Sequence, residues 1–129
     1  MRLRHIPGAE KQIEESTFVI QEPEQKKGCW AEVFGNENPI HIEVGMGKGK
    51  FLMELAQQNP DINYVGIEKY SSVLIRAIEK CQDIEVPNLR FIRMEAEYIC
   101  DVFNKEEVDR IYLNFSDPWP KDRHAKRRL

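Results

Sequence analysis

Four acids lie at or just after the ends of four apolar runs in this chain. Glu43 lies within Ile40-His41-Ile42-Glu43-Val44, and Glu68 follows Ile62-Asn63-Tyr64-Val65-Gly66-Ile67. Glu95 comes shortly after Leu89-Arg90-Phe91-Ile92, and Asp117 comes just after residues 110–115. Behind the first run stands a glycine-rich turn, Gly45-Met46-Gly47-Lys48-Gly49. Glycines at such spacing let the backbone take a left-handed conformation and let a ligand come close. The turn is not a Walker loop, because Gly49-Lys50 is followed by Phe51 rather than Ser or Thr. It is not a GxGxxG dinucleotide fingerprint either, because the sixth position counted from Gly45 is Lys50. What remains is an acid two residues ahead of three alternating glycines.

That acid sets the expected ligand chemistry. A carboxylate at Glu43 repels a pyrophosphate and suits an ammonium group. S-adenosylmethionine carries an ammonium and a sulfonium, and no phosphate. Glu68, closing the second run, stands where a carboxylate accepts both ribose hydroxyls in open α/β folds. Glu95 stands where adenine would lie. Asp117 opens onto the same crevice, followed by Pro118-Trp119-Pro120 and a basic block. The prolines stiffen that turn, and Trp119 is either a stacking surface for a base or a packing residue.

The elements that must position these acids are read from periodicity. The four apolar runs are strands. Phe51, Leu52, Leu55 and Ala56 recur at helical spacing, and Asn59-Pro60 ends that helix. Leu74, Ala77, Ile78 and Cys81 share one face of a second helix, with Ser71 or Ser72 as its cap. Tyr98, Ile99, Val102 and Phe103 form the apolar side of a short third one. The order βαβαβαβ implies right-handed crossovers and a parallel sheet covered on both faces, an α/β fold of the Rossmann-like, doubly wound kind. Its carboxyl edge is where ligands bind. Residues 1–38 read as a lead-in with a short helix at Cys29-Trp30-Ala31-Glu32-Val33-Phe34, stopped at Gly35, and 39–129 as the cofactor domain, incomplete at its end. The free side of the fourth strand then becomes a candidate for self-association.

With 129 residues, 41% of them hydrophobic, the chain suits one modest core and one domain. No apolar run approaches the roughly 20 residues that span a bilayer, and the first residues do not form a secretory signal. Cys29, Cys81 and Cys100 make no CxxC pair, so neither a zinc site nor another metal site is expected, and three reduced thiols suit the cytoplasm. The formal net charge is -3, yet Lys121 to Leu129 holds five Lys/Arg and one Asp, a local +4, leaving -7 on the remainder. A basic patch on an acidic body is a footprint for a polyanion, or else a solvated terminus.

"IEVGMGKGKF" together with "LNFSDPWPKDRHAKRRL" closely resembles the bacterial tRNA (guanine-N7)-methyltransferase family, and "MRLR" and "WAEVFGNENPIHIEVG" are similar to it as well. The resemblance implies a class I S-adenosylmethionine-dependent enzyme that methylates guanine N7 in the variable loop of tRNA. By it, Glu43, Gly45, Gly47, Gly49, Glu68, Glu95 and Asp117 match cofactor positions, and Asp117 also matches the catalytic acid. Lys121 matches a substrate contact, and Arg123, His124, Lys126, Arg127 and Arg128 fall in an RNA-interacting stretch. Asp122 stands where a second Lys is usual, and Glu95 where Asp is common. The chains of that family are longer, so this one is expected to be truncated. It could then bind cofactor without turnover. Asp117-Pro118-Trp119-Pro120 is also a near miss of the acid-Pro-Pro-aromatic turn of amino-methylating enzymes, which keeps that activity as an alternative.

Overall fold

A computed structural model describes residues 8–47 and 49–113. Its centre is a four-stranded parallel sheet made of β1 (Ile40–Val44), β2 (Asn63–Glu68), β3 (Leu89–Arg93) and β4 (Arg110–Leu113), in the spatial order β3-β2-β1-β4. The chain thus moves outward from β1 to β3, then returns to the other side of β1. That reversal makes the carboxyl ends of β1 and β4 the topological switch point of a Rossmann-like fold, where a crevice opens.

Alternation along each strand divides two apolar layers. Ile40, Ile42, Val44, Val65, Ile67 and Ile92 face one layer, with Trp30, Val102 and Phe103. Tyr64, Leu89 and Phe91 face the other, against α3 (Lys50–Gln58) and α4 (Ser71–Cys81). Leu74, Ala77, Ile78 and Cys81 are buried as their spacing predicts, joined by Ile75. In α3 Leu52 and Ala56 are buried, but Phe51 is 44% exposed, because the helix turns it toward Tyr112 of β4 rather than into the core. The third helix is a 3-10 helix, Ala96–Asp101, with a tighter pitch than the α-helix. Tyr98 is therefore 52% exposed, while Val102 and Phe103 beyond the helix remain buried. Neither Ser71 nor Ser72 caps α4. Tyr70 holds the cap position, with no side-chain cap bond.

The lead-in is woven into this frame. Besides α2 (Trp30–Phe34), stopped by left-handed Gly35 as expected, it holds α1 (Ala9–Glu15) and a 3-10 helix, Pro23–Lys26. Ala9 and Ile13 of α1 join the α3/α4 layer. Val19 bridges Phe91 in parallel, with the Ile20 N–H donating to Phe91 O at 2.9 Å and the Phe91 N–H to Phe18 O at 2.7 Å. Trp30 is fully buried, stacks on Phe103 at 4.8 Å and donates its indole N–H to Val102 O at 2.8 Å. The Glu107 carboxylate holds this junction: Oε1 accepts the N–H groups of Gly28 and Asn104, both at 2.9 Å, and Oε2 accepts that of Trp30 at 3.1 Å. All three cysteines are free, and burial pushes the Cys81 thiol up to about 11. Among the described residues no helix is long and apolar enough to cross a membrane.

His41 sits between Tyr64 of β2 and Tyr112 of β4. Burial lowers its pKa, the Arg110 guanidinium lowers it further, and Asp109 opposes them. Because the folded pKa lies below the unfolded value of about 6.5, the unfolded chain takes up a proton first as pH falls. Stability is then full above that value and declines toward the folded pKa. The urea midpoint should drop between pH 7.5 and pH 5.5, and less so in His41→Gln. Glu107→Ala removes the shared acceptor of three backbone N–H groups, of which only that of Trp30 is partly sheltered from water, and should cost about 1 kcal/mol in urea unfolding at pH 7.

Candidate functional site

Gly45, Gly47 and Gly49 form the turn after β1 with φ of 73°, 62° and 78°, a left-handed series that only glycine adopts readily. The N–H groups of Gly45 and Met46 both donate to Ile67 O, at 2.9 and 3.1 Å, so the turn hangs on the end of β2. The Gly47 N–H donates to Glu68 Oε1 at 3.1 Å. The other carboxylate oxygen, Oε2, accepts the Tyr70 N–H at 3.2 Å, where α4 begins. One side chain thus fixes both the glycine turn and the start of the next helix. Gly49 caps α3, and a Cβ there would stand 3.0 Å from the Ala77 Cβ of α4.

Glu43 and Glu68 share a sheet face. Glu43 pairs in register with Gly66, two residues before Glu68, so alternation points both toward the α3/α4 side at the carboxyl edge. They differ in exposure. Glu43 is 1% exposed and Glu68 is 7% exposed, so both lie beneath the rim rather than upon it. Glu95 stands at the same edge one strand further out, exposed, capping the 3-10 helix and accepting the Tyr98 N–H on its backbone oxygen at 3.1 Å. The structure therefore gathers Glu43, Gly45, Gly47, Gly49 and Glu68 around one turn and leaves Glu95 at the periphery. Asp117, Lys121, Arg123, His124, Lys126, Arg127 and Arg128 lie outside the described residues, as do Lys48 and the end of the predicted fourth strand.

Two residues that shape the turn were not singled out from sequence. Met46 is buried beneath it, and Gly66 makes room for Met46. A Cβ on Gly66 would collide with the Met46 sulfur and would stand 2.9 Å from Leu52 Cδ2 and 3.3 Å from Phe91 Cδ1. The available signal was a glycine inside an apolar strand, which marks a close approach. A separate cavity of about 370 Å³ opens beside Pro87 and Arg90, at the amino end of β3 and away from this edge. Arg90, the one cation that lines it among the described residues, already donates to the backbone oxygens of Pro87 and Leu89.

A family model described as "Putative methyltransferase" matches residues 37–129. The chain belongs to that methyltransferase family. Over all of its 129 residues this methyltransferase-family chain is 67% identical to a tRNA (guanine-N(7)-)-methyltransferase of Lachnoclostridium phytofermentans. It is 58% identical to a protein of the same description from Bacillus cytotoxicus. It spans about 60% of the length of each of these curated relatives. Among solved structures, an antibiotic-related methyltransferase matches with a TM-score of 0.60 and 23% identity, over 85% of this chain and 54% of that one. The aminoglycoside resistance methyltransferase NpmB1 matches at 0.58 and 23%, over 74% and 47%. These likenesses show the fold, which agrees with the parallel α/β sheet.

Gly66→Ala should destabilise this methyltransferase-family chain by about 1–3 kcal/mol, the usual range for an overpacked core. Gly47→Ala, whose Cβ would meet nothing within 4 Å, should destabilise it less, through backbone strain alone. Thermal unfolding of both variants checks the order of severity.

Proposed function

We propose that this chain carries the cofactor-binding part of an S-adenosylmethionine-dependent tRNA (guanine-N7)-methyltransferase acting in the cytoplasm. The observation that supports the reading best is the pair Glu43 and Glu68, on one face at one strand edge, bracketing a left-handed glycine turn. That turn has three glycines and no phosphate-binding lysine-serine pair, and its carboxylates suit a ligand with an ammonium and a diol. The residues fit the cofactor. Glu43 would meet its ammonium group, Glu68 its ribose hydroxyls, the glycines its close-lying backbone, and Glu95 its adenine. When bound, the cofactor supplies an activated methyl group.

Guanine N7 has a free lone pair and needs no deprotonation before it attacks a methyl carbon. The protein's task is alignment and exclusion of water. In this reading Asp117 holds the guanine by accepting its N1–H and N2–H groups, and it offsets the positive charge that develops on the base. Lys121 contacts the substrate. Arg123, Lys126, Arg127 and Arg128 grip phosphates beside His124, so binding to tRNA should weaken steeply with salt. The alternative reading is a module that binds cofactor without turnover.

Binding of S-adenosylhomocysteine by calorimetry, paired with mass spectrometry of methylated tRNA nucleosides, tests both readings. The expected results are binding and 7-methylguanosine. Binding without product leaves the module, and a product methylated on an exocyclic amine replaces N7 chemistry with amino-methylation. Asp117→Ala should lower turnover on the order of 100-fold with cofactor affinity nearly intact. Unchanged turnover removes Asp117 from the site.

A further inference from the structure

Arg93 closes β3 directly beside Glu68. The two residues are register partners on adjacent parallel strands. They also share a face, since Arg93 follows Leu89 and Phe91 in the alternation and Glu68 follows Tyr64 and Gly66. Strands so paired lie about 4.8 Å apart, well within the reach of an arginine side chain. Yet the Arg93 guanidinium turns the other way. Its Nη1 donates to Glu10 Oε1 of α1 at 2.6 Å. Helix α1 is anchored on this same face by Ala9 and Ile13, so Glu10 is held where it can draw Arg93 off the rim.

The consequence concerns the Glu68 carboxylate. Each of its oxygens accepts one backbone N–H, from Gly47 and from Tyr70. An ionised carboxylate oxygen has two acceptor sites, so one remains on each. Those two sites are what a vicinal diol would use. They are also what an arginine fork matches, since guanidinium binds carboxylate bidentately. Arg93 and the ligand's diol are therefore rivals for the same two lone pairs.

We propose that Glu10 is a positioning residue for the cofactor crevice: by holding Arg93 it keeps the Glu68 carboxylate open to the ribose diol. Glu10 thereby takes part in ligand binding without touching the ligand. This rests on the reading of Glu68 as the ribose acid.

The test is calorimetric titration of the protein with S-adenosylhomocysteine at low salt. Glu10→Gln should raise Kd about three- to fivefold, the scale of an exposed ion pair released onto a neighbour. Arg93→Met should bind as the wild type does. The double variant should recover wild-type affinity within about twofold, because the rival cation is gone. Glu14→Gln, at an exposed position of the same helix, removes the same charge without releasing Arg93 and should change nothing. Equal binding by Glu10→Gln and the wild type overturns the inference. So does a double variant as weak as Glu10→Gln, which would mean that Glu10 acts through the docking of α1. If Glu14→Gln weakens binding as much as Glu10→Gln, net charge explains the effect and the inference falls. A wild-type protein that does not bind overturns the cofactor reading itself, and this inference with it.

Discussion

The Glu68 carboxylate is the constraint on which the site depends. A turn of three left-handed glycines has little conformational preference of its own, since glycine loses more freedom on folding than any other residue. Here the turn is held by three donors aimed at the end of β2: two at the Ile67 carbonyl and one at Glu68. The same carboxylate accepts the first N–H of the α4 turn. A short side chain at Glu68 could not reach both. An uncharged one would accept more weakly, because hydrogen bonds to ionised groups are roughly twice as strong as neutral ones. The acid therefore shapes the crevice before any ligand arrives.

Beneath the turn, packing enforces the same arrangement. Met46 fills the space that Gly66 leaves open, and Gly49 lets α3 come against Ala77 of α4. The turn is pinned from below by contact and from the side by hydrogen bonds. On the opposite sheet face, Trp30 and Phe103 fix the connection leading into β4, and Glu107 ties that connection to the lead-in.

Much of this was legible in the residues themselves. The β1 limits, the α2 stop at Gly35 and the apolar face of α4 follow from alternation, a left-handed glycine and helical spacing, all local properties. So does the sheet's parallel character, which follows from helices intervening between apolar strands. The rest depends on contacts distant in sequence. Helix α1 has only two buried residues, Ala9 and Ile13, too few to give a periodic signal. Tyr98 departs from its expected apolar side because Ile99, Val102 and Phe103 fit an α-helical pattern, whereas a 3-10 turn points it outward. The role of Gly66 depends on Met46, which comes from another element. For the candidate site, Glu43, Glu68 and the three glycines, which the fold gathers around one turn, could be picked out by type and spacing, but the backbone donors that engage Glu68 have no sequence signature.

The Val19–Phe91 bridge has a consequence for the sheet as a whole. An outer strand normally offers its backbone groups to any passing extended chain. At β3 the amide and carbonyl of Phe91 are already committed to Phe18 and Ile20, so that flank is plugged by the protein's own early residues. Among the described residues β4 has a neighbour on one side only. Among the described residues the β4 border is therefore the one that no segment of the chain covers.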